Sequence, residues 1–223
     1  VDESDDINTD WQDLFYKTGM ITSHDVGVTG GTETGSYNFG AGFYQDKAVM
    51  PGQDYSRYSM RGTLDQEVGA FRIGFTTNNN YSISNGANLG VYGVLSASPL
   101  ADPYNEDGTW KRTIKMPLDD QWLSSREVIE NLGDKWIDQN RAFGSYNTLY
   151  AEVKIPWIEG LKYRANVGLN YRMSNGGSYT GEGVFSTTKT TPSTATISNS
   201  HTTNWTMENL ITYHRLFAEK HQI

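Results

Sequence analysis

The sequence predicts an all-β fold: a portion of an antiparallel transmembrane β-barrel, about seven strands joined by long loops that carry short helices. Three observations lead there. Apolar and polar residues alternate with period two through seven segments. The connections between those segments are short and long in turn, as in a barrel with tight turns at one rim and extended loops at the other. No run of eighteen apolar residues exists, which excludes a membrane-spanning helix and leaves a barrel, whose strands hide their apolar half by alternation.

The elements follow in chain order. "NTDWQDLFYKTG" reads as a short helix, capped by Asp10 and stopped by Gly19. Residues 23–30 place His24, Val26 and Val28 on one side. Residues 35–43 set Tyr37, Phe39, Ala41 and Phe43 against Ser36, Asn38, Gly40 and Gly42. Residues 56–65 align Tyr58, Met60, Gly62 and Leu64, and 71–77 align Phe71, Ile73 and Phe75. A helix is predicted within 88–100, ending at Pro99. Another follows Ser124, with Glu127 in capping-box spacing and Val128, Ile129 and Leu132 as its apolar stripe.

Alternation resumes in 145–155 with Leu149, Ala151, Val153 and Ile155. It is unbroken in "LKYRANVGLNYR", where Leu161, Tyr163, Ala165, Val167, Leu169 and Tyr171 share a side. Residues 204–214 repeat it with Trp205, Met207, Ile211 and Tyr213. Predicted turns are 31–35, 66–70, 156–160 and 217–220. The predicted long links are 44–55, 78–144 and 173–203, the last Ser/Thr-rich. The apolar rows carry no Asp, Glu, Lys or Arg. The opposite rows carry Asp25, Arg57, Arg61, Asp65, Arg72, Glu152, Lys154, Lys162, Arg164, Arg172 and Glu208.

Tyr163 and Tyr171 lie roughly 26 Å apart along an extended strand. A tilt of about 40° reduces this to roughly 20 Å, close to the apolar height of a membrane barrel. Phe39, Met60, Phe75, Val153, Tyr163, Val167, Leu169 and Tyr171 are the residues expected to face lipid. The competing reading is a soluble β-sandwich that binds carbohydrate, with these rows packed against a second sheet.

Other chemistry finds little support. The net charge of -8 and the lack of a basic patch argue against nucleic acid. Cysteine is absent, which removes disulfides and thiolate metal sites. His24, His201, His214 and His221 lack metal-ligand spacing, no G-x-S-x-G elbow occurs, and neither a metal nor a cofactor is expected. An outer-membrane lipase would need a serine–histidine pair that the sequence does not offer. "DPYNEDG" hints at calcium, but Pro103 stands where an EF-hand has its first aspartate, and a structural turn is expected. Binding is the more plausible chemistry. Asn79, Asn80, Tyr81, Tyr92 and Trp110, in the long loop, are the candidate substrate contacts, since amides and aromatic faces hold sugars in a concave site.

Several of these stretches, taken together, resemble a family. "NTDWQDLFYKTG", then "VTGGTETGSYNFGAGFYQDKAVMPGQDYSRYSMRGTLDQEV", "SPLADPYNEDGTW" and "WTMENLITYHRLFAEKHQI" are similar, in that order, to the SusC/RagA family of TonB-dependent outer-membrane transporters. The resemblance covers most of residues 8–223. It implies a 22-stranded barrel in the outer membrane of a Gram-negative bacterium, plugged by an N-terminal domain and importing oligosaccharides or peptides. It also implies a SusD-like surface lipoprotein over the loops and energy from the TonB complex through an N-terminal part absent from this chain. No catalysis is implied. The chain opens "VDESDD" without a signal peptide and stops where a strand begins, which reads as a fragment.

On that pattern, 1–20 belong to an extracellular loop and 22–78 are strands and hairpins. A long extracellular loop spans 79–143, a hairpin 144–172 and a further extracellular loop 173–203. Residues 204–223 are a strand, a turn and the start of the next strand.

Overall fold

A computed structural model of the chain describes residues 7–86, 91–116, 122–124, 126–184, 191–217 and 221–222. Helix α1 (Trp11–Phe15) comes first, then β1 (Met20–Thr32), β2 (Gly35–Lys47), β3 (Asp54–Val68) and β4 (Phe71–Asn85). A long excursion carries α2 (Val91–Leu95), the short strands β5 (Ile114–Lys115) and β6 (Trp122–Leu123), and α3 (Arg126–Glu130). The chain then forms β7 (Trp136–Lys154), β8 (Leu161–Thr180) and β9 (Thr194–Tyr213), followed by the two-residue strands β10 (Leu216–Phe217) and β11 (His221–Gln222). The seven long strands make one antiparallel sheet in the order β1-β2-β3-β4-β7-β8-β9, so every neighbour in space is the next long strand in sequence. β5 with β6 and β10 with β11 form separate two-stranded ribbons.

The strands outrun their sequence signal at the long-loop end. The link expected over 44–55 shrinks to 48–53. β4 continues to Asn85 and β7 begins at Trp136, so both ends of the loop expected over 79–143 are strand. β8 reaches Thr180 and β9 starts at Thr194, inside the loop expected over 173–203. The reason is physical: in these extensions polar residues stand on both faces among scattered aromatic and aliphatic ones, so alternation fades while the backbone ladder continues.

At the other end the turns are tight. Gly69, at φ 60, opens the two-residue turn between Val68 and Phe71, and its positive φ suits the twist of a hairpin. Gly160, at φ 87, ends the β7–β8 turn, where its carbonyl accepts from His214 N–H at 2.9 Å. A side chain there would meet the His214 carbonyl oxygen at 2.0 Å.

The turns descend in steps. Phe43, Tyr58, Tyr81 and Phe143 are register partners from β2 to β7. From that row, β2 pairs for eight more residues to Gly35, β3 for ten to Val68 and β7 for eleven to Lys154. A stagger of this kind is what tilted strands need in order to curl into a barrel.

The buried apolar core lies not on the sheet but among the long links. Trp11, Phe15, Met50, Val94, Ala101, Ile114, Met116 and Ile129 cluster there, and Trp136 at the start of β7 packs against them. The predicted N-cap of α1 forms: the Asp10 carboxylate accepts from the N–H groups of Gln12 and Asp13, and the helix ends at Phe15, before Gly19. Trp11 Nε1 donates to the Ser98 carbonyl at 2.8 Å, and Thr9 Oγ1 to that of Ala101 at 2.9 Å. α2 stops at Leu95, four residues before Pro99. The Ser124 hydroxyl donates to the Arg112 carbonyl at 2.7 Å rather than capping α3, while the side chain of Glu127 lies outside the described residues.

Candidate functional site

The two faces of the sheet divide the chemistry. All seven predicted apolar rows fall on one face, because each register partner is itself apolar-side. The row Leu64, Phe75, Leu149, Val167, Met207 crosses five strands without a break. Phe39, Met60, Phe75, Val153, Tyr163, Val167, Leu169 and Tyr171 all lie on this face. From the Phe43–Tyr58–Tyr81–Phe143 row down to the turns, the face carries no Asp, Glu, Lys or Arg. Its charged members, Lys47, Asp54 and Arg141, all stand above that row. Val26, Met60, Trp205 and Ile211 are 71%, 56%, 74% and 76% exposed, and among the described residues no second sheet covers them. Among the described residues this face thus lacks the sheet-on-sheet packing of a sandwich.

Near the top of this face the rings form a ladder. Phe43 and Tyr58 sit 5.1 Å apart between centroids, and Tyr58 stacks on Tyr81 at 6.4 Å. Below it, four polar side chains interrupt the apolar surface of β4 and β7, joined in a closed ring. Thr77 Oγ1 donates to Asn147 Oδ1 at 2.7 Å, and Asn147 Nδ2 to Ser145 Oγ at 2.9 Å. Ser145 Oγ donates to Asn79 Oδ1 at 2.6 Å, and Asn79 Nδ2 returns to Thr77 Oγ1 at 2.7 Å. Each hydroxyl gives one hydrogen bond and receives one, so the cluster sits in an apolar surface without a stranded hydroxyl.

The opposite face is polar and layered. Nearest the turns is an ion-paired layer. Arg72 meets Asp65 at 2.9 Å, Lys154 meets Glu67, and Glu152 lies 3.8 Å from Lys162 and 4.0 Å from Arg164. Tyr150 organises its centre. Its ring lies across Gly74, where a Cβ would meet it at 2.0 Å, and this lets its hydroxyl reach over β4 to donate to Asp65. The Arg164 guanidinium stacks on the same ring at 3.7 Å.

Above this comes a row of short side chains: Thr29, Asn38, Thr63, Thr76, Thr148, Gly168 and Thr206. Next is a row rich in amides, Gly27, Gly40, Arg61, Asn78, Tyr146, Asn170 and Asn204. Then Asp25, Gly42, Ser59, Asn80, Gly144, Arg172 and Thr202 follow in one register line.

The candidate substrate contacts are not brought together. Asn79, Asn80 and Tyr81 lie on β4, not in a loop. Asn80 points to the polar face, whereas Asn79 belongs to the hydrogen-bonded ring and Tyr81 to the aromatic ladder on the apolar face. Three successive strand residues cannot share a face. Tyr92 stands 71% exposed on α2. Trp110 packs on Tyr104 at 4.6 Å, within a turn where Asp102 accepts from Tyr104 N–H at 2.9 Å. In the same turn the Asp107 carboxylate accepts from the Thr109 hydroxyl at 2.6 Å and from its N–H at 2.9 Å. The hydroxyl bond foremost holds the Asp107 carboxyl below its ordinary pKa. Asp102 and Asp107 of "DPYNEDG" thus brace a turn. The amide–guanidinium rows and the Tyr150–Gly74 contact escaped sequence reasoning, because they depend on register between strands far apart in the chain.

No family model matches the chain. It is 26% identical over 229 residues to TonB-dependent receptor P3 of Formosa agariphila, an alignment covering 95% of the chain and 21% of that protein. It is 26% identical over 112 residues to TonB-dependent receptor SusC of Bacteroides thetaiotaomicron, covering 48% of the chain and 11% of that protein. Its fold is similar to the RagAB peptide importer in the open-open state, with a TM-score of 0.78, 16% identity, and coverage of 96% of this chain and 24% of that one. The closed-closed state gives 0.75 at 17% identity, with 97% and 24% covered. The chain therefore spans about a fifth of the length of these receptors. They are named as receptors and importers rather than enzymes. By its relatives and by its fold, the chain is similar to a stretch of the barrel of TonB-dependent outer-membrane transporters of the SusC/RagA type.

Proposed function

We propose that this chain forms part of the wall of an active transporter that imports oligosaccharides or peptides. A SusD-like lipoprotein closes over its long loops and the TonB complex supplies the energy. In this reading the apolar face meets lipid, the long links are extracellular, the tight turns are periplasmic, and the polar face lines the path of the cargo. The full barrel has 22 strands around a plug. The observation that carries the proposal is the division of the sheet: one face uncharged below its aromatic rim and exposed, the other filled with paired charges, amides and hydroxyls. Such a face is costly in water and favourable in hydrocarbon.

Val167, between Leu149 and Met207, tests this. Val167→Lys in the full-length transporter should cost about 2–4 kcal/mol of barrel stability at mid-membrane depth. The expected result is loss of folded protein from the outer-membrane fraction and loss of uptake. Asn166→Lys, one residue away on the polar face and beside Glu208, should insert normally. Normal insertion and uptake by Val167→Lys would reject the lipid-facing assignment.

A further inference from the structure

On the polar face, above the ion-paired layer, lies a groove of about 440 Å³ between β1, β2, β3 and β4. Its floor includes Gly40 and Gly42, whose lack of a side chain lets Arg61, Asp25 and Ser59 lie close across the strand. A Cβ on Gly40 would meet Arg61 Nε at 2.9 Å, and one on Gly42 would meet Asp25 Oδ1 at 2.6 Å and Ser59 Oγ at 2.7 Å. Arg57 and Arg61 rise from β3 on either side of Ser59, with Asn78 beside them on β4.

The cations of the two layers differ. Arg72, Lys154, Lys162 and Arg164 each have a carboxylate partner. Among the described residues Arg57 and Arg61 form no ion pair. Arg57 leans on the Tyr44 ring at 5.6 Å, and the one carboxylate lining the groove, Asp25, stands over Gly42. Two guanidiniums therefore face one carboxylate over a glycine floor, which leaves the groove with a net positive charge. Guanidinium forks match carboxylate and sulfate oxygens.

We infer that this groove reads an anionic group, a carboxylate or a sulfate, on an oligosaccharide cargo. The inference rests on the transporter reading above and narrows its substrate class. A glycan is favoured because the adjoining rows supply amides and hydroxyls, Asn78, Asn80, Tyr146 and Asn170 among them. Each amide or hydroxyl both donates and accepts, as sugar hydroxyls do.

The test uses the full-length transporter in detergent and fluorescently labelled probes: hexagalacturonate, maltohexaose, and a glutamate-rich octapeptide with its glutamine twin. Hexagalacturonate is expected to bind about ten- to a hundredfold more tightly than maltohexaose, the range of one or two charge-assisted contacts. Arg57→Gln with Arg61→Gln should bring the two glycans to parity, chiefly by weakening hexagalacturonate. In the wild type the gap should narrow as salt rises, a readout that needs no variant to fold. A preference that survives the double substitution or is insensitive to salt overturns the anion site, as does equal binding of both glycans. Either result leaves the transporter reading standing on Val167→Lys. A double variant that loses both glycans alike assigns the arginines a structural role and also overturns it. A charge preference seen only with the peptides overturns the glycan assignment.

Discussion

Tyr150 shows how much one position depends on its neighbour across the strand. The ring lies flat because Gly74 has no side chain, and only from that position does its hydroxyl reach Asp65 while Arg164 covers its other side. Gly74→Ala would drive a methyl into the ring and displace it, at about 1–3 kcal/mol. Tyr150→Phe would keep the ring and lose one hydrogen bond to a charged group, about 1.5–3 kcal/mol in a buried setting and less here, where the groups are partly exposed. The urea midpoint of the full-length barrel in lipid vesicles should fall for both, and combining them should cost less than the sum. Strict additivity would mean that the glycine and the tyrosine act independently. The tyrosine, the glycine and the arginine are all visible in the sequence, but nothing there places residues 65, 74, 150 and 164 side by side.

At the scale of elements, the seam between β4 and β7 is the sheet pairing with the longest intervening excursion, residues 86–135. The ring of Thr77, Asn147, Ser145 and Asn79 fastens it from the apolar side. Ser145→Ala should leave Asn79 and Asn147 each short of a partner in an apolar surface and destabilise the barrel by about 1–3 kcal/mol. Replacing all four by Val, Leu, Ala and Leu should cost less than that single change, since no polar group is then stranded. Vesicle unfolding of the two proteins gives the comparison, and a quadruple variant weaker than Ser145→Ala would refute the account.

Strand identity and facing were legible within the apolar band, because period-two alternation is a backbone property. The strand extensions were not, since Asn78–Asn80 and residues 136–144 alternate nothing. Reading Asn79 and Tyr81 as loop contacts followed from that gap.

For the whole molecule, the buried core and the large apolar surface are in different places. Eight buried residues tie α1, α2, β5 and α3 together at the long-loop end, while the sheet leaves its apolar face open. The parent protein should therefore remain in the outer-membrane fraction through carbonate and high-salt washes and leave only with detergent. Release by salt alone would point to a peripheral, water-soluble fold. Binary patterning carries this whole-molecule conclusion with little help from detail, because a single charged residue in the lower apolar rows would have broken it, and none occurs.

The strands also differ in length: β1 has 13 residues and β3 has 15, whereas β8 and β9 each have 20. With the tilt of such walls, 20 residues rise roughly 50 Å, about twice the height of the hydrocarbon slab. The rim is thus a parapet, standing tall along β8 and β9 and stepping down toward β1. Under the orientation proposed above, a molecule arriving from outside would meet this taller stretch of wall first, with the glycine-floored groove on its lower side.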